Sequence, residues 1–471
     1  MPTYYIDPTW TGTESGTEAE PFTTFAQADA VYIDGDTVLF QGGTTINEEV
    51  KNRRNNATYG SYGTGRATIA GDGVNNSGWE QNAKTGTTVE NLNITGGVSQ
   101  AVLNVTGSHD FTIRNCTIFD APKYGLVTQD SNNVVIEDVE VYGSAQQGMR
   151  LEGDALANYT GLEVRRCYVH DNAKAETASD NWDGCFIGIG MTGFVVEDCT
   201  FSNNGYLGVG CNLDCSDGNT GGDCTGTVRR CISIGSWCSY TVSGGAPQTT
   251  IVTFESCIGV GGLRGCWEMH GSLATMNLVN CVLGGTPVIT YRPETSAALV
   301  KWGDATAGTT GHTLNMTNCI LDPTNYVYAF NTVLAPTVGS FTNNCFYDNA
   351  QTIFYQRDGA DKDAAGFIAE FSATNSVTAE PQVNLDYTLA LTSPCLGTGD
   401  TSVLPLTDYN GRGFGSPINM GVYSLPQLAN NLLATNTGNT AASQNYDGVW
   451  TSADWAFIPD NTRYYPMNEG Q

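Results

Sequence analysis

The chain has 471 residues, a formal net charge of −28 and only 14% charged residues, with 56 glycines and 40% hydrophobic residues. This acidic balance would repel duplex nucleic acid, and it would also repel polyanionic glycans unless a local basic patch or bound Ca²⁺ reversed the field. No apolar run is long enough to insert into a membrane. The composition therefore suits a turn-rich all-β protein with a long core.

The beginning of the chain contains three short phrases rich in apolar residues, at residues 4–8, 21–28 and 35–39. Met1-Pro2-Thr3 lacks both the basic and the apolar segment of a secretory signal peptide. We therefore expect synthesis in the cytoplasm.

A cysteine then recurs once per turn of a long repeat, inside short phrases that read polar-polar-Cys-x-apolar. Leu92 and Val139 take the place of the cysteine in two further phrases. This position, here called the slot, recurs every 23 to 38 residues. A repeat of this length with alternating polar and apolar residues predicts a solenoid of strands, because one turn cannot bury its own inner face. The cysteines of the predicted inward column are Cys116, Cys167, Cys199, Cys231, Cys257, Cys281, Cys319 and Cys345.

The cysteines also bear on the cellular compartment. The chain has 15 of them, an odd number. We expect free core thiols rather than disulfides, because parallel strands stacked in register give poor geometry for an S–S bond. Free thiols indicate folding in a reducing cytoplasm, so a protein that works outside the cell would be released by lysis, as a virion is.

A glycine begins the strand that follows many of the slots, as at Gly125, Gly148, Gly184, Gly208 and Gly265. Counting outward from these glycines predicts a solvent-facing stripe, with turns about 4.8 Å apart. Aromatic faces suit sugar rings, but loops or a partner subunit could equally cover the stripe. The predicted stripe comprises Val127, Arg150, Phe186, Gly210, Thr241 and Trp267. The carbohydrate-binding residues predicted from it are Arg150, Glu152, Phe186, Trp267, His270 and Arg292. Glu268 fits poorly, since the alternation would point it inward.

Two acidic groups interrupt the repeat. Asp180 and Asp183 end a long insertion, where they could form a functional carboxylate site or cap backbone N–H groups in a turn. Residues 211–224 contain Asp214, Asp217 and Asp223 together with three thiols. They could form a calcium loop, a zinc site or only a polar loop.

The repeat gives way to a segment from Ser393-Pro394-Cys395 to Gly421-Val422-Tyr423, and the character of the chain changes again after Pro426. Six aromatic residues fall within residues 446–465, too many for a disordered tail. We expect residues 426–471 to dock on the solenoid or on another chain. A homotrimer or an attachment to virion proteins could form through them.

These phrases together resemble the right-handed parallel β-helix, or pectate-lyase-like, superfamily over about residues 3–425. The resemblance implies an all-β solenoid with a short N-terminal capping helix and a C-terminal extension. Its expected divisions are an N-terminal cap (1–35), the parallel β-helix (36–425) and a C-terminal docking or oligomerisation extension (426–471). The fold alone does not fix an activity, because it carries lyases, hydrolases, adhesins and phage tailspikes.

Asn181-Trp182-Asp183-Gly184 resembles a phrase of the calcium-dependent family 9 pectate lyases. In that family acidic groups hold Ca²⁺, which acidifies the α-proton that a lysine removes. The resemblance implies Asp180 and Asp183 as catalytic and metal-binding groups, joined by Asp214 and Asp217 as further candidate ligands of Ca²⁺. The strand that follows has no lysine, which leaves Lys174 as the candidate base.

Three functions are compatible with these features. The free thiols and the absent signal favour a virion-surface protein, either a tailspike or a capsid-decorating protein, that recognises and could degrade a host surface polysaccharide. The alternatives are a secreted polysaccharide lyase or glycoside hydrolase, and a non-enzymatic adhesin or structural protein. The expected location is the virion or the extracellular space after cytoplasmic synthesis.

Overall fold

A computed structural model describes most of the first 423 residues of the chain. The described ranges are 1–154, 157–175, 182–205, 210–217, 222–245, 248–271, 273–284, 298–302, 311–324, 326–332, 339–347, 353–357, 360–384, 387–402, 407–414 and 418–423. Asp180, Arg292 and the extension at 426–471 therefore lie outside the described residues.

The described residues form short strands and two helices. The strands up to the middle of the chain are β1 (Thr3–Ile6), β2 (Thr37–Gln41), β3 (Thr45–Ile46), β4 (Val50–Asn52), β5 (Thr58–Tyr62), β6 (Ala67–Ile69), β7 (Trp79–Asn82), β8 (Thr88–Glu90), β9 (Leu92–Ile94), β10 (Ala101–Thr106), β11 (Phe111–Phe119), β12 (Tyr124–Gln129), β13 (Val134–Tyr142), β14 (Met149–Glu152), β15 (Tyr159–Thr160), β16 (Glu163–Arg165), β17 (Tyr168–His170), β18 (Cys185–Gly188), β19 (Met191–Glu197), β20 (Thr200–Asn204) and β21 (Cys211–Ser216). The remaining strands are β22 (Cys224–Arg229), β23 (Ile232–Gly244), β24 (Thr250–Glu255), β25 (Ile258–Gly271), β26 (Ala274–Val279), β27 (Val282–Gly284), β28 (Ala298–Trp302), β29 (Thr313–Thr317), β30 (Ile320–Asp322), β31 (Tyr328–Thr332), β32 (Phe341–Thr342), β33 (Cys345–Phe346), β34 (Ile353–Arg357) and β35 (Ala360–Lys362). The helices are α1 (Phe25–Asp29) and α2 (Ala364–Phe371). Neither helix is long and apolar enough to cross a bilayer.

The strands stack coil upon coil as three parallel sheets, and the inward side chains of all three form one core. Sheet 1 consists of β4, β7, β10, β12, β14, β18, β21, β23, β25, β28, β31 and β34. Sheet 2 consists of β2, β5, β8, β11, β13, β16, β19, β22, β24, β26, β29 and β32. Sheet 3 consists of β3, β6, β9, β11, β13, β17, β20, β23, β25, β27, β30 and β33. The predicted all-β parallel β-helix is confirmed, because nearly every described strand pairs in parallel with the strand one coil away.

Both ends of the coil carry a helix. The first, α1, begins with a capping box between Thr24 and Gln27, and it buries Phe25 and Ala28. Sequence analysis did not predict α2, which lies at the other end of the core. Its Phe367 ring stacks on Phe330 with centroids 4.5 Å apart, so α2 covers the apolar surface that the last coils would otherwise expose.

The cysteine ladder is present, and all fifteen cysteines of the chain are buried free thiols. The residue before most slots, such as Asp198 or Arg230, has a positive φ that turns the chain from sheet 2 into sheet 3. The Cys199 thiol lies 3.2 Å from the carbonyl oxygen of Glu197, and the other core cysteines of the column repeat this contact. Burial in this apolar column raises the pKa of Cys199 well above its ordinary value.

Cys345 was wrongly placed in this column. Asn344 holds the slot there, since its side-chain oxygen accepts a hydrogen bond from the Cys319 N–H at 2.9 Å. Cys345 lies one residue further along, pairs with Ile320, and joins a separate apolar cluster on the outer face of sheet 3. The polar-polar-Cys phrase did not distinguish the two positions, because both are buried.

The segment that follows the last coil folds back along the outside of sheet 3. The Gly421 N–H donates to the carbonyl oxygen of Asn318, and Arg230 donates to the Thr407 hydroxyl at 2.7 Å. Met420 and Val422 pack on the outward apolar residues of this sheet. The outer face of sheet 3 is therefore covered over its later coils, whereas sheet 1 carries the polar and charged surface described next.

Candidate functional site

Sheet 1 presents two neighbouring columns of side chains away from the core, and the strand register fixes their members. The outward column is Lys51, Glu80, Asn104, Val127, Arg150, Phe186, Asp214, Thr241, Glu268, Lys301, Asn331 and Gln356. The second column, two residues further along each strand, is Thr106, Gln129, Glu152, Gly188, Ser216, Ser243 and His270. Charged groups are thus lined up along one face, about 4.8 Å apart per coil.

The sequence placed Arg150, Phe186 and Thr241 correctly in this column, but Trp267 was wrong. Trp267 is fully buried and packs on Tyr240 with ring centroids 4.8 Å apart, so it cannot contact a sugar. A β-bulge causes the error: the pairing of β23 with β25 slips by one residue between Ser236 and Cys238. A count that ignores the extra residue assigns the side chains after the bulge to the wrong faces of the strand. Glu268 therefore takes the outward position that was expected for Trp267.

Gly210 was wrong for a related reason. The column passes through Asp214, because Phe186 pairs with Asp214 and not with Gly210. Residues 211–216 form strand β21 rather than the loop that the acidic cluster suggested. Asp214 and Cys215 are consecutive strand residues and point to opposite faces.

A polar cavity of about 300 Å³ opens on sheet 1 between β10, β12 and β14. It is lined by Gln100, Ala101, Asn104, Thr106, Lys123, Tyr124, Val127, Gln129, Arg150 and Glu152. Arg150 lies 3.0 Å from Glu152 Oε1 through Nε and donates to the Tyr124 hydroxyl at 3.1 Å through Nη1. The cavity thus brings together Arg150 and Glu152, two of the predicted carbohydrate-binding residues.

Phe186 lies in the next coil, between this cavity and Asp214. Its ring leans over Gly188, where an added Cβ would come within 2.6 Å of the ring. Glycine therefore makes room for the ring to lie across both columns. A half-buried aromatic face in this position can stack on an apolar ligand surface.

Asp214 is the most perturbed carboxyl of the outward column. Its side chain is buried, and Oδ1 has no hydrogen-bond partner among the residues that the structure describes. Burial raises the pKa of Asp214 to about 7, and the negative charges of Glu268 and Asp217 act in the same direction against His270. Asp214 can therefore hold a proton near neutral pH.

Glu268 lies two coils away and has the opposite electrostatic environment. Its Oε1 is 2.8 Å from Arg264 Nη2 and 3.2 Å from His270 Nε2. Burial alone would raise the pKa of Glu268, but the positive charges of His270, Arg264 and Lys301 outweigh it and hold the pKa below its ordinary value. The bulge supplies Arg264, so the same feature that hid Glu268 from sequence analysis also holds it ionised.

Three other predicted catalytic or metal-binding residues, Asp183, Lys174 and Asp217, do not join this group in one site. Asp183 is buried and accepts the Cys211 N–H at 2.7 Å through Oδ1, which is the backbone-capping role named as the alternative. Lys174 pairs with Asp120 at 3.6 Å. Asp217 accepts the Gly245 N–H and faces the sheet 2 side, near Thr250.

Within the described residues, no three His, Cys, Asp or Glu side chains converge on a point where a metal ion could bind. Asp180 lies outside the described residues, so calcium binding at Asp180 and Asp183 stays a prediction. Sequence analysis missed Asp214 and Glu268 as a pair and missed Arg264 and Lys301 entirely. The available signal was the misfit of Glu268 in the alternation.

The right handed β-helix region family model matches residues 23–287, more than half of the chain. Comparison with the curated proteins finds no match. Among solved structures, the complex of XylC with xylose is similar at a TM-score of 0.55 and 10% identity, covering 90% of this chain and 98% of that one. The Dettilon tailspike protein is similar at a TM-score of 0.52 and 10% identity, covering 75% of this chain and 68% of that one.

At such identities the two structures establish the architecture alone, in agreement with the stacked coils and the single core. The chain belongs to the right-handed β-helix family.

Proposed function

We propose that the protein binds a neutral or weakly charged polysaccharide along sheet 1 and hydrolyses it with Asp214 and Glu268 as the paired carboxyl groups. The observation that carries the proposal is the placement of two buried carboxyls on one outward column with opposite surroundings. Around Asp214, burial and the charges of Glu268 and Asp217 favour the protonated form against the opposing effect of His270. Around Glu268, the charges of His270, Arg264 and Lys301 favour the ionised form. Pairs of carboxyls whose surroundings push their protonation apart are typical of general acid and base partners.

The register supports this division of roles. Two coils separate Asp214 from Glu268, so their Cα atoms lie about 10 Å apart at the usual strand spacing. That spacing leaves room for a water molecule, as in inverting glycosidases, whose two carboxyls lie about 6.5–9.5 Å apart. Asp214 would protonate the leaving oxygen, and ionised Glu268 would activate the water. His270 and Arg264 would keep Glu268 ionised and oriented.

The same face can hold a glycan. Phe186 offers a ring beside Asp214, and the cavity at β14 offers hydrogen-bonding groups two coils before Asp214. The solved complex of XylC with xylose shares the architecture, which accords with a sugar ligand for this chain. Recognition of a polysaccharide thus draws on stacking and on hydrogen bonds along one stripe.

Lyase chemistry is the second candidate, and Lys301 favours it. Lys301 pairs with Glu268 one coil further along the outward column, and Arg264 and His270 lie beside the same carboxylate. Cations in this arrangement could neutralise a uronate, and a lysine could remove the α-proton. This arrangement differs from the Asp183 and Lys174 pair that the resemblance suggested.

A polysaccharide panel tests both chemistries. Asp214→Asn and Glu268→Gln should each lower kcat at least 100-fold on the cleaved substrate, because each removes one of the two proton transfers. Thr241→Val, between them in the column, is the matched control. Hydrolysis gives new reducing ends alone, whereas elimination also gives an unsaturated product with ultraviolet absorbance. Cleavage that survives both carboxyl variants would refute the assignment.

We further propose that the protein acts at a virion surface or outside the cell, where the polysaccharide would be a host glycan. The reduced core thiols support assembly in a cytoplasm, and the tailspike shares the architecture. Light scattering during gel filtration tests the assembly: a trimer supports a tailspike role, and a monomer supports a free polysaccharide-degrading enzyme.

A further inference from the structure

The cavity between β10, β12 and β14 contains a buried acceptor that its own neighbours leave unused. Glu152 is 6% exposed, and its Oε1 is engaged by Arg150. Its Oε2 is buried and has no hydrogen-bond partner in the part of the chain that the structure describes. A buried carboxylate oxygen without a donor is costly, so a ligand that brings one would be favoured there.

We infer that this cavity is a separate sugar subsite, which takes one neutral sugar unit and binds its hydroxyl groups through Glu152. The inference rests on the proposed polysaccharide substrate but not on the cleavage chemistry at Asp214. It also gives the substrate a class: the unit bound two coils before Asp214 carries free hydroxyls and no acidic group.

The two cations beside Glu152 contact one aromatic ring. Arg150 is 3.0 Å from Glu152 Oε1, donates to the Tyr124 hydroxyl at 3.1 Å, and has its guanidinium carbon 5.4 Å from the Tyr124 ring centre. Lys123 Nζ lies 4.7 Å from the centre of the same ring. Both cations therefore pack on Tyr124. Among the described residues the cavity leaves two buried polar atoms without a hydrogen-bond partner, the acceptor Glu152 Oε2 and the donor Arg150 Nε. The cavity therefore suits a group that both donates and accepts, as a hydroxyl does.

The rest of the lining selects for hydroxyl groups. Gln100, Asn104 and Gln129 carry amides that both donate and accept, and Thr106 adds a hydroxyl. A sugar hydroxyl can donate to Glu152 Oε2 and accept from one of these amides. A carboxylate or sulfate brings acceptors alone and would place a like charge beside Glu152, which would disfavour its binding.

The register connects the cavity with the carboxyl pair. Arg150, Phe186 and Asp214 are consecutive members of the outward column, so the cavity lies about 10 Å from Asp214 along the sheet. A glycan that follows the column would cross Phe186 between the two. The subsite would then fix which sugar unit stands at Asp214, and it would act on specificity rather than on bond cleavage.

Calorimetric titration of the whole chain with cellobiose, maltose, xylobiose and digalacturonate tests the inference. We expect a neutral disaccharide to bind at millimolar concentrations, and Glu152→Gln to weaken that binding at least tenfold, because the amide keeps the size but turns the free acceptor into a donor. Glu90→Gln is the matched control, since Glu90 also pairs with an arginine, Arg114, but on sheet 2.

Each other outcome overturns the subsite. Binding of digalacturonate alone, binding that Glu152→Gln leaves unchanged, or no Glu152-dependent binding of any probe would show that the cavity is not a neutral-sugar site. Failure of the cleavage proposal looks different. Glu152-dependent sugar binding without Asp214-dependent cleavage would keep the subsite and remove the chemistry, whereas cleavage with no Glu152 dependence would do the reverse.

Discussion

Replacement of Asp214 by asparagine gives the sharpest test of the carboxyl pair, because it needs no knowledge of the substrate. Burial raises the pKa of Asp214 from 3.8 to about 7 in the folded chain. The folded protein therefore holds this proton over a range where the unfolded chain has already released it. Stability should fall as the pH rises from about 4 to about 7, because the folded state must then carry a buried, unpaired charge.

The size of the effect follows from the shift. A difference of about 3 pH units corresponds to about 4 kcal/mol in the free energy of unfolding, at about 1.4 kcal/mol per unit. Asparagine is neutral at every pH and nearly the same size. Asp214→Asn should therefore match the wild type near pH 4 and exceed its stability by up to about 4 kcal/mol near pH 8.

Urea unfolding at about pH 5 and about pH 8 measures this difference, with Thr241→Val as the control for a disturbed outward face. Thr241 lies in the next coil and does not titrate, so its replacement should shift stability equally at both pH values. If the stability of Asp214→Asn differed from that of the wild type by the same amount at both pH values, Asp214 would not be held protonated. The assignment of Asp214 as the general acid would then fall.

The other predictions concern the core, the thiols and the activity profile. Trp267→Ala should lower the free energy of unfolding by about 3–5 kcal/mol, because the ring is fully buried. Phe186→Ala should lower it by well under that amount and should weaken glycan binding. Equal losses of stability in the two variants would contradict the register. Thiol titration should find all fifteen cysteines free after denaturation. Nearly none should react in the native protein, since burial raises the thiol pKa, as at Cys199. Quantitative disulfide would refute the ladder. The rate of cleavage should fall as the pH rises through about 7, where Asp214 loses its proton. The rate should also fall at acidic pH, below the ordinary pKa range of a glutamate, where Glu268 gains a proton. An alkaline limit that is unchanged in Asp214→Glu would count against the assignment.

The sequence alone determined the architecture and much of the core. The recurring cysteine phrase predicted a stack of coils, since a buried slot at a fixed place in each turn must meet its copy in the next. It also placed Arg150 and Phe186 on the outward face of sheet 1. These predictions succeeded because side-chain alternation along a strand is a local property, which neighbouring residues already define.

The tertiary structure decided the site. One inserted residue at the β25 bulge exchanges the faces of Trp267 and Glu268, and no local pattern records where the inserted residue lies. The pairing of Phe186 with Asp214 depends on how two neighbouring coils align, and the irregular spacing of the repeat does not fix that alignment. Asp214 and Glu268 are 54 positions apart in the chain, and only the stacking of coils brings them onto one column. Their opposite protonation then follows from burial and neighbouring charge, which are properties of the folded surroundings.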